Sequence, residues 1–136
     1  MNAIAAGGVY HTPLFGEGTV DETTGEELTP LAHRSSRRVF AVQTAEKLQE
    51  LLAGVVAEGT GRQAAPSEGT AAGKTGTAQT GQFRDGEELK NYWFAGFYPA
   101  EKPRWTIVVM QDAQQEPEVS SAAVFARLCD ALSAGE

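Results

Sequence analysis

Lys74, Thr75, Gly76 and Thr77, within the stretch Gly73-Lys74-Thr75-Gly76-Thr77-Ala78-Gln79-Thr80, combine a lone cation, two hydroxyls and an unhindered backbone. That combination suits gripping an acyl substrate by its acid end. In an extended chain the side chains alternate faces, so Thr75 and Thr77 point the same way and can both donate hydrogen bonds to one carboxylate. Lys74 starts from the other face, and its long stem must reach back to bring positive charge beside them. Gly76 has no side chain to block a ligand, so a peptide can lie alongside as an added strand. The backbone N–H of Thr77 then suits one half of an oxyanion hole.

Plainer readings of the same residues exist. A Gly-Lys-Thr triplet also occurs in phosphate-binding loops, whose pattern G-x-x-x-x-G-K-[ST] demands a longer gap than Gly69-Thr70-Ala71-Ala72-Gly73 provides. Such a loop also runs straight into a helix, whereas Gly76, Thr77, Thr80 and Gly81 are poor helix formers in quick succession. Taken alone, the stretch also fits an ordinary strand carrying a surface lysine.

The flanks bear on that choice. Lys74-Thr75-Gly76-Thr77 resembles the Lys-Thr-Gly box of the penicillin-binding proteins and serine β-lactamases. Val55-Val56-Ala57-Glu58-Gly59-Thr60-Gly61 is similar to the helix end and Gly-Thr turn that precede this strand in peptidoglycan transpeptidases. Trp93-Phe94-Ala95-Gly96-Phe97-Tyr98-Pro99 resembles their next strand, and Trp105-Thr106-Ile107-Val108-Val109-Met110 the one after. Asn2-Ala3-Ile4-Ala5-Ala6-Gly7-Gly8-Val9-Tyr10-His11-Thr12-Pro13 looks like the helix, glycine turn and short extended segment upstream. The likeness covers almost the whole chain in the family's order and is nearest the monofunctional class B type.

The resemblance implies acyl transfer through a serine ester, with D-Ala-D-Ala stem peptides and β-lactams as ligands and no cofactor. Lys74 and Thr77 are the implied catalytic positions, and Thr75, Gly76 and Thr77 the substrate-binding ones. The family's nucleophile sits in a Ser-x-x-Lys box, with a Ser-x-Asn box after it, both upstream of the Lys-Thr-Gly strand. No serine here meets either pattern: Ser35, Ser36, Ser67, Ser120, Ser121 and Ser133 all fail. Residues 1–136 are therefore expected to form one partial domain, the C-terminal portion of a transpeptidase domain, inactive alone. A non-catalytic D-Ala-D-Ala or β-lactam sensor module, or a piece of a serine β-lactamase, are the alternatives. Family members work outside the bacterial membrane from an N-terminal anchor, which is expected in the absent part.

Composition agrees with a folded domain. A hydrophobic share of 41% and a charged share of 21% are ordinary for a globular protein and argue against disorder. The net charge of -7 argues against nucleic acid as a partner, since phosphates demand clustered Lys and Arg. The basic residues gather only at Arg34, Arg37 and Arg38, which reads as a solvated turn. His11 and His33 lack the spacing of metal ligands, so no metal is expected. Glu58 and Asp112 read as solvated carboxylates, and Cys129 as a half-buried structural thiol.

The elements that must position the four site residues follow from periodicity. Thr44 is a good N-cap for a helix whose apolar face is Leu48, Leu51, Leu52, Val55 and Val56, ended by Gly59 and Gly61. Arg62 to Ala72 reads as a mobile loop. Three antiparallel strands follow, near Ala72–Gln79, Tyr92–Phe97 and Trp105–Met110, the first two joined by a loop holding Gly81, Asp85 and Gly86. The third is apolar on both faces, Ile107 and Val109 against Val108 and Met110, and is expected between two helical layers. In the family it pairs with an N-terminal strand, so the truncated chain is expected to expose an apolar edge and self-associate. A last helix carries Val124, Phe125, Leu128, Cys129 and Leu132, capped by Ser120 or Ser121. Tyr92, Trp93, Phe94, Phe97 and Tyr98 read as core in preference to a sugar-stacking surface. Residues 12–38 read as a hairpin or irregular excursion around Gly25. The fold class is α+β, an antiparallel sheet flanked by helices.

Overall fold

The computed structural model describes residues 1–14, 16, 18–30 and 35–135. A short helix α1 (Asn2–Ala5) leads into two small antiparallel pairs, β1 (Val9–His11) with β4 (Ser36–Arg38) and β2 (Gly18–Val20) with β3 (Glu27–Pro30). This is the excursion expected around Gly25, which takes a φ of +71° at the tip. The amides of Thr24 and Thr23 both donate to Asp21 Oδ1 at 2.8 Å, and they hold its carboxyl below the usual value. Arg38 is no free surface charge: it donates to the carbonyls of Gly7 at 2.9 Å and Phe40 at 3.2 Å, bracing the glycine turn. Arg34 and His33 lie outside the described residues. His11 is exposed.

Helix α2 spans Val42–Ala57, so Thr44 is not its cap. Ala41, extended at ψ 151°, is the N-cap, with no side-chain bond. Packing overrides the capping preference: Val39 and Phe40 both donate to the Gly8 carbonyl, Ala45 is fully buried, and Gln49 Nε2 donates to Ile4 O at 2.7 Å. Along the expected apolar face Val56 is buried, but Leu51 is 56% exposed.

The main sheet has the order β5 (Ala72–Arg84), β6 (Glu87–Tyr98), β7 (Trp105–Gln114), all antiparallel. The strands overrun their expected ends because only Asp85 and Gly86, both at positive φ, form the turn between β5 and β6. Gly81 instead sits in a bulge, where the register shifts between Gln79 and Phe83. Helix α3 (Ser121–Ala134) lies across β6 and β7, capped by Ser120 Oγ accepting from the Ala123 amide at 3.1 Å.

Partners in register share a face, so Thr75, Phe94 and Val109 face the side of α3. Phe94 meets Phe125 of α3 with ring centroids 4.7 Å apart, and Val56, Ala64, Ala71, Tyr98, Ala122 and Cys129 belong to the same cluster. Burying rings of this size stabilises by about 1.5–3 kcal/mol each. Phe97 is also fully buried, whereas Trp93 is partly exposed, so the aromatic run is core at one end only. Cys129 is fully rather than half buried, and desolvation, followed by the nearby Asp130 charge, pushes its thiol up to about 12. Two expectations fail here. Residues 62–72 are not loose: they contain a 3-10 turn at Arg62–Ala64, Ala64 is fully buried, and the Ser67 amide and hydroxyl both donate to Asp130 Oδ1. And β7 is covered on one side: Ile107 and Val109 pack on the core, but Val108 and Met110 are 57% and 45% exposed.

Candidate functional site

Strand β5 changes character along its length. Ala72 and Gly73 are buried, while Lys74, Gly76 and Thr77 are exposed and Thr75 is half-buried. It is an outer strand, paired with β6 alone among the described residues. Lys74 begins on the face opposite Thr75, yet its stem turns back and Nζ donates to Thr75 O at 3.0 Å and Thr75 Oγ1 at 3.2 Å. A stem at a free strand edge has room to make that turn. Thr75, Gly76 and Thr77 together line a cavity of about 130 Å³ on the α3 side of the sheet. The structure thus brings three of the four sequence-singled residues into one cavity, and Lys74, which does not line it, meets them through its bonds to Thr75.

The opposite wall comes from elsewhere in the chain. Gly61, in the turn beyond α2, is buried against Val55 and Phe94, and the Oγ1 of its neighbour Thr60 lies 3.4 Å from Thr75 Oγ1. Gln63, in the 3-10 turn, accepts through Oε1 a short hydrogen bond from Ser120 Oγ, joining that turn to the start of α3. Ser121 Oγ donates to Tyr92 O at 2.8 Å, fixing the helix start against β6. Thr60, Gln63 and Ser120 are cavity residues that the strand motif alone does not reveal. The sequence signals for Thr60 are its place between two glycines after an amphipathic helix and the likeness of that turn to the one preceding this strand in peptidoglycan transpeptidases. A larger cavity of about 590 Å³ lies on the other side of the turn, lined by Arg62, Ala65 and residues of α2, and contains none of the four β5 residues.

The family pattern described as the penicillin-binding protein transpeptidase domain matches residues 1–130. The chain belongs to this family. Stage V sporulation protein D of Bacillus subtilis is 33% identical over 115 residues, covering 82% of this chain and 18% of that protein. Penicillin-binding protein PbpB of Mycolicibacterium smegmatis is 36% identical over 143 residues, covering 90% of this chain and 21% of its own length. In structure, the D,D-transpeptidase domain of a peptidoglycan glycosyltransferase from Eggerthella lenta superposes with a TM-score of 0.77 at 31% identity, over 98% of this chain and 30% of that one. The chain therefore spans about a fifth of the length of these two curated relatives. The α+β architecture is that of penicillin-binding protein transpeptidase domains.

Proposed function

We propose that this chain is the substrate-gripping part of a serine D,D-transpeptidase that cross-links peptidoglycan stem peptides. A serine from outside residues 1–136 attacks the carbonyl of the penultimate D-Ala, and the terminal D-Ala leaves with a proton. An amine of a neighbouring stem peptide then displaces the serine and forms the cross-link. Thr75 and Thr77 hold the terminal carboxylate, and Gly76 leaves the backbone open beside it. The Thr77 N–H stabilises the oxyanion. Lys74 lends positive charge and supports proton transfer. β-Lactams, which present a carboxylate next to a reactive amide, enter the same cleft. The observation that carries this reading is the Lys74 ammonium lying 3.2 Å from the Thr75 hydroxyl despite starting on the opposite face.

The isolated chain takes no label from a fluorescent penicillin, because its serines lack the required setting; a penicilloyl adduct in its intact mass would contradict this. In the complete protein labelling occurs, and Lys74→Ala slows it by about hundredfold or more. Labelling of that variant at the native rate would remove Lys74 from the mechanism.

The partner of this chain is the remainder of its own domain. No strand pairs with the outer edge of β7 among the described residues, and Val108 and Met110 stand exposed on one of its faces. Without the remainder, the chain self-associates through this edge. Light scattering that gives a monomer mass at every concentration would rule that out. The complete protein works outside the membrane from an anchor elsewhere in its sequence; no helix among the described residues is long and apolar enough to cross one.

A further inference from the structure

The cavity of about 590 Å³ between α2 and residues 62–71 has no part in the transfer proposed above and shares no lining residue with the β5 cavity. Its size lies within the range of about 300–1,000 Å³ usual for ligand sites. Helix α2 lends it Ala53, Gly54 and Ala57, whose side chains are too short to reach across, and buried Val56 and Ala71 add to its apolar walls. The opposite wall is held off the helix. Ser67 bonds Asp130 of α3 through its amide at 2.7 Å and its hydroxyl at 2.8 Å, the Tyr98 hydroxyl donates to Glu68 O at 3.1 Å, and the Ala100 amide donates to Thr70 O at 2.9 Å. Residues 67–70 cannot drop onto α2 to close the gap without breaking these bonds. A space kept open in this way leaves its wall atoms without packing partners, and an apolar body that enters supplies them at little cost in rearrangement.

Charge decides what that body carries. Glu46, Glu50 and Glu101 line the cavity, with Arg62 as the cation among them. Glu50 is paired with Lys47 at 2.7 Å, and Glu101 accepts a short hydrogen bond from Thr70 Oγ1 but keeps its charge. Glu46 has neither an ion pair nor a hydrogen bond among the described residues. With Glu50 neutralised, Glu46 and Glu101 still outnumber Arg62, so an ammonium group is drawn in and a carboxylate is repelled.

We infer that this cavity is a second ligand site, separate from the β5 cleft, and that it takes a small molecule with an apolar body and a single amine. The inference does not depend on the transpeptidase reading of β5.

The experiment is a calorimetric titration of the complete protein, with residues 1–136 in their own domain, before and after treatment with benzylpenicillin. The probes are tryptamine, tryptophol and indolepropionate, which carry an amine, an alcohol and an acid on one indole-ethyl body. Tryptamine binds most tightly and indolepropionate least, and benzylpenicillin changes none of the affinities. Ala53→Leu, which extends a side chain into the space, weakens tryptamine and tryptophol alike by about tenfold or more through lost apolar burial. Glu46→Gln weakens tryptamine by about threefold to fivefold, the weight of one partly solvated ion pair, and leaves tryptophol unchanged. Should Ala53→Leu fail to fold, Glu46→Gln decides alone. The inference is overturned by a complete protein that binds none of the probes, as when the remainder of the domain fills the space, or that does not prefer the amine. Binding abolished by benzylpenicillin, or native tryptamine affinity in either folded variant, overturns it equally.

Discussion

Gly73 and Gly76 lie three positions apart on β5 and are glycine for opposite reasons. A methyl group at Gly73 would sit 2.6 Å from the Phe94 ring and 2.8 Å from the Ala95 carbonyl, so the interior itself forbids a side chain there. A methyl group at Gly76 would meet nothing nearer than Trp93 Cβ at 3.5 Å, an ordinary contact, and its φ is not in the left-handed region. The folded chain has room for alanine at Gly76, so its own packing does not demand glycine there. One strand therefore contains a packed base, whose sequence serves stability, and an open stretch whose sequence the packing does not dictate, the stretch proposed above to hold a ligand.

The contrast can be broken from either end. Phe94→Ala, at the packed base, costs about 3–5 kcal/mol because no neighbour can fill the ring's volume, seen as a lowered urea midpoint. Gly73→Ala costs about 1–3 kcal/mol by overpacking, and a native melting temperature for this variant would refute the division of the strand. Cys129 reports on the same interior through pH. Its folded pKa is raised, so the stabilisation is complete below about 9 and is lost as pH climbs toward about 12, where only the unfolded thiol has ionised. Urea unfolding between those values shows a decline that is shallower in Cys129→Ala. Gly76→Ala is the smallest structural change, within about 0.5–1 kcal/mol and of stabilising sign, since glycine in a strand carries an entropic penalty. Its effect appears in the complete protein, where labelling by a fluorescent penicillin slows; labelling at the native rate would refute the reading of this stretch as open for a ligand.

Much of this organisation was legible in the sequence because it is local. Alternation and turn residues marked β5, β6 and β7, and helical spacing marked α2 and α3. The likeness of Lys74-Thr75-Gly76-Thr77 and its flanks pointed to the transpeptidase family, to which the chain belongs. The failures share a physical cause, which is that distant contacts outweigh local preference. Thr44 has the chemistry of a cap, but Ala45 and Gln49 draw the helix start three residues earlier through burial and the bond to Ile4. Gly81 has the chemistry of a loop, but the ladder on both sides continues past it as a bulge. Ser67 has no periodic pattern to announce order, yet Asp130 holds it from far along the chain. The cavity wall was hidden in part: the likeness placed the Gly59-Thr60-Gly61 turn ahead of the strand, but nothing in a linear reading showed that Thr60 meets Thr75 or that Gln63 meets Ser120.

Val55 has no contact with the cavity, but Gly59 and Gly61 both close over it, and methyl groups there would come within 2.9 Å of its Cα and 3.1 Å of its Cγ1. The valine acts as a shim beneath the hinge that carries Thr60. An interior exchange at this position, such as Val55→Ile, would tilt the wall of the cleft without altering any lining residue. Drift in the hidden end of a helix could in this way retune ligand selectivity while every cleft side chain keeps its identity.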